Sequence, residues 1–418
     1  MESYRYLLDI AIILLATKFF GIFSKKLRMP SVVGALVAGI ILGPSMLNIV
    51  APSQLITSLS EIGVIVIMFA AGLETSITDL RKAGLKAFVI ALLGVLIPLA
   101  VFYVIGMIYD HGPKAWITNL FIGVIFTATS VGITVETLKE MHCMNTESGN
   151  AILAAAVIDD VLGIVCLTLV TGFADSSVSI PMVLMKILGF FVFAVAVGIV
   201  MHKVFKWWFS HDNNNGLQRY SIVSFAFALI MGYISEAWFG VADITGSFVA
   251  GLIISGTKQC EYVTKRIGTL SYMLISPIFF ASIGLKLTPI HLTWTLVGLL
   301  LILCVASIVT KVGGCYLGAI MTKYSSKQAL RIGCGMISRG EVALIVANKG
   351  MALGLLPEFF VSPILLCVVF TTVITPVFLK MVYKREPGDT DFKDHMDHSE
   401  KKEIHEVMKN PMTNYQEV

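Results

Sequence analysis

Charge is what this chain has least of. Lysine, arginine, aspartate and glutamate make up 14% of its 418 residues, and 56% are hydrophobic. Soluble domains carry about a quarter charged residues, so a water-soluble globular fold is excluded. The apolar/polar alternation of half-exposed strands is also missing; the apolar runs are long and continuous. In a bilayer every backbone polar group must be paired internally, so such runs read as helices. No nucleophile-plus-base motif, glycine-rich phosphate loop or metal-ligand cluster occurs, which argues against an enzyme and against a bound cofactor. A basic patch interleaved with aromatics is absent too, which argues against nucleic acid. The seven cysteines are scattered without pairing or metal spacing and read as small core hydrophobes.

What is present is a series of about thirteen apolar stretches, near 5–23, 31–48, 58–76, 84–109, 115–138, 148–172, 180–209, 218–237, 243–256, 268–286, 290–321, 328–349 and 358–383. The first contains Asp9 and is followed by no small-residue cleavage site, so it is expected to be a retained span, not a signal peptide. The chain is therefore expected to be an all-α polytopic membrane protein, with the lipid bilayer as its solvent. Basic residues collect in the odd-numbered connections, for example Lys25 and Lys26, Lys265 and Arg266, and Lys323, Lys327 and Arg331. The positive-inside rule then places the N-terminus outside and the C-terminus in the cytoplasm. Residues 384–418 are polar and poor in aromatics, the composition of a disordered cytoplasmic tail.

A repeat is visible at one fixed offset. Gly246 and Gly251 lie 212 residues after Gly34 and Gly39 in similar surroundings, and Gly284 lies 212 after Gly72. The same offset carries Asp159 and Asp160 onto Thr371 and Thr372. The transmembrane domain, 1–383, thus divides into a first repeat of about 5–172, a linker helix of about 180–209 and a second repeat of about 218–383. Six spans in each half and one between them imply inverted topology, an arrangement of secondary transporters with the site at the midplane.

Asp159 and Asp160 sit at the centre of the sixth stretch among apolar and small residues. An ionised carboxylate at mid-bilayer costs about 2.5–3.5 kcal/mol on insertion scales. Two in succession repel each other, which favours a bound proton on at least one. An ion or proton site is the reading that justifies such a cost. The preceding stretch holds Thr127, Thr129, Ser130, Gly132 and Thr134, hydroxyls that can cap a broken helix and coordinate a small cation. The offset takes Thr127 onto Arg339, within Ser338-Arg339-Gly340-Glu341. Two interrupted spans at corresponding depths point to a transport site. Arg339 and Glu341 are read as offsetting each other or the charged groups at the break. Lys311, deep in the eleventh stretch, is expected to pair with a buried aspartate, because an uncompensated charge there is costly.

Together the Asp159–Asp160 pair, the Thr-Ala-Thr-Ser-Val-Gly-Ile-Thr segment, Lys311 and the Ser-Arg-Gly-Glu segment resemble the monovalent cation:proton antiporter-2 family of bacterial sodium/proton exchangers. The resemblance implies a homodimer in the cell (inner) membrane, with discontinuous crossing helices in a core domain that moves against a dimerisation domain. It implies that Asp160 is the ion- and proton-binding carboxylate, with Na+ bound there, and that Asp159 is the partner of Lys311. Thr129 and Ser130 become the unwound-segment groups near the ion. The expected function is electrogenic exchange of a monovalent cation, foremost Na+, for protons. A K+/H+ antiporter of the potassium-efflux type and a sodium-coupled organic anion symporter are the alternatives.

Overall fold

The computed structural model describes residues 4–384 and 391, apart from 28, 76, 110–114, 175–179, 212–216, 258 and 288–293. Among the described residues all regular structure is helical. In the first half the helices are α1 (Arg5–Lys26), α2 (Ser31–Leu42), α3 (Gln54–Glu74), α4 (Ile77–Tyr109), α5 (Ala115–Ile125), α6 (Val131–Glu140) and α7 (Glu147–Ala174). The long α8 (Ile180–His211) follows. The second half holds α9 (Leu217–Phe239), α10 (Asp243–Ser255), α11 (Cys260–Leu270), a π-helical turn (Ser271–Ile275), α12 (Ser276–Leu285), α13 (Trp294–Met321), α14 (Ser326–Gly335), α15 (Glu341–Ala352) and α16 (Glu358–Val382).

Nine helical stretches among the described residues are long and apolar enough to cross a bilayer by length and composition. Length alone does not reproduce the expected thirteen. The spans expected near 115–138 and 328–349 are each two short helices, α5–α6 and α14–α15, separated by non-helical backbone. Two others, α2 and α10, are shorter than a full bilayer crossing requires.

The offset of 212 seen in the glycines extends to the element boundaries. Shifted by 212, α1 falls on α9, α2 on α10, α4 on α13, and α5, α6 and α7 on α14, α15 and α16. The counterpart of α3 is the α11–π–α12 rod, and α8 has none. Contacts repeat in the same way. A Cβ on Gly39 would lie 2.1 Å from the Ala281 carbonyl oxygen, and one on Gly251 would lie 2.3 Å from that of Phe69. These are the same contact with the halves exchanged, since Gly251 is the mate of Gly39 and Ala281 the mate of Phe69. Gly72 against Phe248 (2.2 Å) and Gly284 against Leu36 (2.8 Å) form a second exchanged pair. Each half's second helix therefore packs on the other half's third, the reciprocal pattern of two-fold symmetry. Lipid gives helices little hydrophobic reason to associate, so close backbone approach over small residues is what holds such contacts.

Within this frame a buried apolar cluster joins α3, α6, α7, α12 and α14 through Ile67, Ile133, Ile152, Phe279 and Ile332. α8 keeps Leu188, Val192, Val195 and Ile199 exposed, the inverse of a soluble helix and suited to lipid. A capping box starts α14: Ser325 Oγ accepts the Gln328 N–H (3.3 Å) and Gln328 Oε1 accepts the Ser325 N–H (3.0 Å). Of the segment from 384 onward, read as a disordered tail, 385–390 and 392–418 lie outside the described residues. Asp391 is described and is buried.

Candidate functional site

The two helix breaks occur where the sequence weakens the helix. Thr127, Thr129 and Ser130 carry hydroxyls that compete for backbone hydrogen bonds, and α5 stops at Ile125. The second break, 336–340, ends in Gly340 ahead of α15. A Cβ on Gly340 would lie 2.4 Å from Ser130 Oγ, so the two breaks pass each other at a distance only glycine permits. They are bonded there: Ser130 N–H donates to the Ser338 carbonyl (2.8 Å) and Ser338 Oγ to the Ser130 carbonyl (2.6 Å). Thr134 Oγ1 donates to the Gly335 carbonyl (2.7 Å).

A helix that stops inside a membrane leaves carbonyls that must be satisfied by protein. Two buried cations do this for the break that follows α5. Arg339, 0% exposed, donates from Nη1 to the carbonyls of Thr127 (3.1 Å) and Ala128 (2.7 Å). Lys311, also 0% exposed, donates from Nζ to the Thr127 carbonyl (2.9 Å). Both positive charges thus sit at the negative end of the α5 dipole. Thr127 and Arg339 are repeat mates, so this contact lies on the pseudo-two-fold axis itself.

Lys311 Nζ also donates to Asp159 Oδ1 at 2.7 Å. It does not snorkel to the surface. Asp159 is 1% exposed and its Oδ2 is buried without a hydrogen-bond partner. Asp160, next on α7, is half-buried. Thr129 and Ser130 are buried in the first break, and neither hydroxyl oxygen has a hydrogen-bond partner. The break and α7 thus carry buried oxygens without partners, from Thr129, Ser130 and Asp159, while Lys311 and Arg339 hold the break's carbonyls. Arg339 is bonded to backbone and, through Nε, to Ser307 Oγ (3.2 Å). Glu341 is the first residue of α15, and its side chain lies outside the described residues.

Three participants were not singled out from sequence. Ser338 ties the breaks together; Ser307 sits one helical turn before Lys311 on the same face of α13. Thr372 Oγ1 donates to the Arg339 carbonyl (2.5 Å). The offset had placed Thr372 opposite Asp160, and that was the available signal. Among the described residues no group of three histidine, cysteine or acidic side chains is placed to hold a metal.

Comparison with known proteins agrees with this geometry. The family description "Sodium/hydrogen exchanger, transmembrane" matches residues 11–385. The chain is 36% identical over 384 residues to the Na(+)/H(+)-K(+) antiporter GerN of Bacillus cereus, covering 91% of this chain and 97% of that one. It is 34% identical to a Na(+)/H(+) antiporter of Enterococcus hirae, over 90% of this chain and 97% of the relative. Its fold matches that of the sodium proton antiporter MjNhaP1 from Methanocaldococcus jannaschii with a TM-score of 0.73 at 18% identity, covering 92% of this chain and all of that one. A broken-helix crossing beside a buried lysine–aspartate pair, on a chain matched nearly end to end by these exchangers, makes the protein a multi-pass membrane antiporter of the transmembrane sodium/hydrogen exchanger family.

Proposed function

We propose that the chain exchanges a monovalent cation, Na+ foremost, for protons across the cell membrane, and that cation and proton compete for Asp160. The observation that carries this is the charge balance at the crossing. Asp159 is paired with Lys311, Asp160 follows it on α7, and Lys311 and Arg339 are both fully buried at the helix break. Replacing a proton on Asp160 by Na+ leaves that balance unchanged, whereas adding a cation without releasing a proton puts a net charge into a low-dielectric region. Asp160 is the member of the pair open to exchange, since it is half-buried while Asp159 is sealed. Carboxylate, hydroxyl and carbonyl oxygens suit a hard monovalent cation, with Thr129 and Ser130 completing its shell.

A second proton per cation makes the exchange electrogenic and comes from the Asp159–Lys311 pair, which opens when the cation binds. The reciprocal contacts between halves support two inverted six-helix repeats, about 5–172 and 218–383, joined by the linker helix. In this reading the crossing domain moves as an elevator against a dimerisation domain in a homodimer, with the N-terminus outside and the C-terminus cytoplasmic. Participation of K+ is the second reading, favoured by the Na(+)/H(+)-K(+) activity in the name of the Bacillus cereus relative.

The test is a trapped pH dye in proteoliposomes challenged with Na+, Li+ and K+ in turn, at clamped voltage. Wild type is expected to move protons against Na+, and Asp160→Asn to be silent while folding normally. Wild-type exchange by Asp160→Asn would refute the assignment, and uptake of an organic anion without opposing proton flux would replace it with symport.

A further inference from the structure

A second buried ion pair lies away from the crossing. Arg331 of α14 and Asp391, their side chains 1% and 0% exposed, meet at 2.8 Å. From the sequence Arg331 looked like one more loop cation, but its Nε donates to the Val382 carbonyl (3.1 Å) and its guanidinium lies over the Tyr383 ring, 5.0 Å from the centroid. Asp391 accepts three more bonds: from Ser148 N–H (2.8 Å), from Ser148 Oγ, and from Gln328 Nε2 (3.4 Å). Ser148 is in the first turn of α7, where backbone N–H groups are unpaired and the dipole favours an anion. Gln328 also donates to Glu147 Oε2 (2.8 Å), and Tyr383 Oη bonds Ser148 Oγ (2.7 Å). One carboxylate from beyond the last helix is thus held by α7 and α14, and its partners Arg331 and Ser148 are tied in turn to the end of α16.

Those three helices lead directly to the crossing. α7 carries Asp159 and Asp160, α14 runs into the break that holds Arg339, and α16 carries Thr372, bonded to the Arg339 carbonyl. Helices are stiff over such lengths, about 16 Å from Ser148 to Asp159. A shift between α7 and α14 at Asp391 is therefore transmitted to the separation of the aspartates from Arg339. Asp391 belongs to none of these helices, so it can leave its seat without unfolding any of them.

We propose that Asp391 is a positioning residue for exchange: seated against Arg331 and the α7 N-terminus, it fixes the register of α7 on α14 and with it the affinity of the crossing for the cation. The proposal rests on the exchange function argued above. Its test compares wild type with Asp391→Asn, Asp391→Glu, Arg331→Gln, the double variant Asp391→Asn/Arg331→Gln, and a chain ending at Lys384. KM and Vmax for Na+-driven proton movement are measured in proteoliposomes, alongside thermal unfolding and backbone hydrogen exchange of the purified proteins.

The expected result is a KM for Na+ raised roughly five-fold or more in Asp391→Asn and in the shortened chain, the scale of an ordinary coupling between sites. Asp391→Glu should recover part of it, and the double variant should be no worse than the poorer single one. Faster exchange is expected at the start of α7 and across 336–340. Wild-type KM in both Asp391→Asn and the shortened chain overturns the proposal, as does a fall in thermal stability alone with kinetic constants per folded molecule unchanged. If wild type itself shows no cation-driven proton movement, the exchange function fails instead. Hydrogen exchange still decides the positioning claim then, because unaltered protection of 336–340 in the shortened chain contradicts it.

Discussion

The Lys311–Asp159 pair is buried on both sides, and among the described residues Lys311 is the only partner of the Asp159 carboxylate. Lys311 also holds the Thr127 carbonyl at the end of α5. Lys311→Met keeps the volume and removes the charge, leaving Asp159 alone in the interior. The expected cost is about 3–5 kcal/mol of stability, the range for stranding one partner of a buried pair. Adding Asp159→Asn to Lys311→Met should recover most of it, since an uncharged pair of similar size is often neutral. Thermal unfolding of the purified variants checks this, and an unchanged midpoint for Lys311→Met would show that the pair contributes nothing. Both residues were legible in the sequence for one reason: charge inside a long apolar run has no inexpensive explanation. Arg331 was not, because it stands near basic residues at a span end, where charge is ordinarily solvated. Its partner Asp391 sits sixty residues later in a segment of disorder-like composition.

At the scale of elements, the sequence pointed to interrupted spans through hydroxyls and a glycine, but the breaks work through backbone. The carbonyls of Thr127, Ala128, Ser130 and Arg339 accept the bonds that hold the crossing, and carbonyls leave no mark in a sequence. The repeat was more legible, because close helix contacts demand glycine at fixed places. Gly251 sits where a side chain would strike the Phe69 carbonyl, and Gly39 where it would strike that of Ala281. Gly251→Val is expected to separate α10 from α3 and lower stability by about 1–3 kcal/mol, as overpacking does. Gly39→Val should cost a comparable amount, because it is the same contact with the halves exchanged. Unfolding measurements in which one variant is wild-type-like and the other severely impaired would argue against equivalent halves.

At the scale of the whole molecule, the pseudo-two-fold axis passes where Thr127 meets Arg339, with both broken helices and the Lys311–Asp159 pair bonded around it. The central claim is that a proton and a cation exclude each other at Asp160. The most direct measurement is the KM for Na+ in proteoliposomes as a function of pH on the loading side. Competition predicts that in the acidic range KM rises about tenfold per pH unit for each competing proton while Vmax stays constant. A KM independent of pH, with Vmax alone falling on acidification, would contradict it.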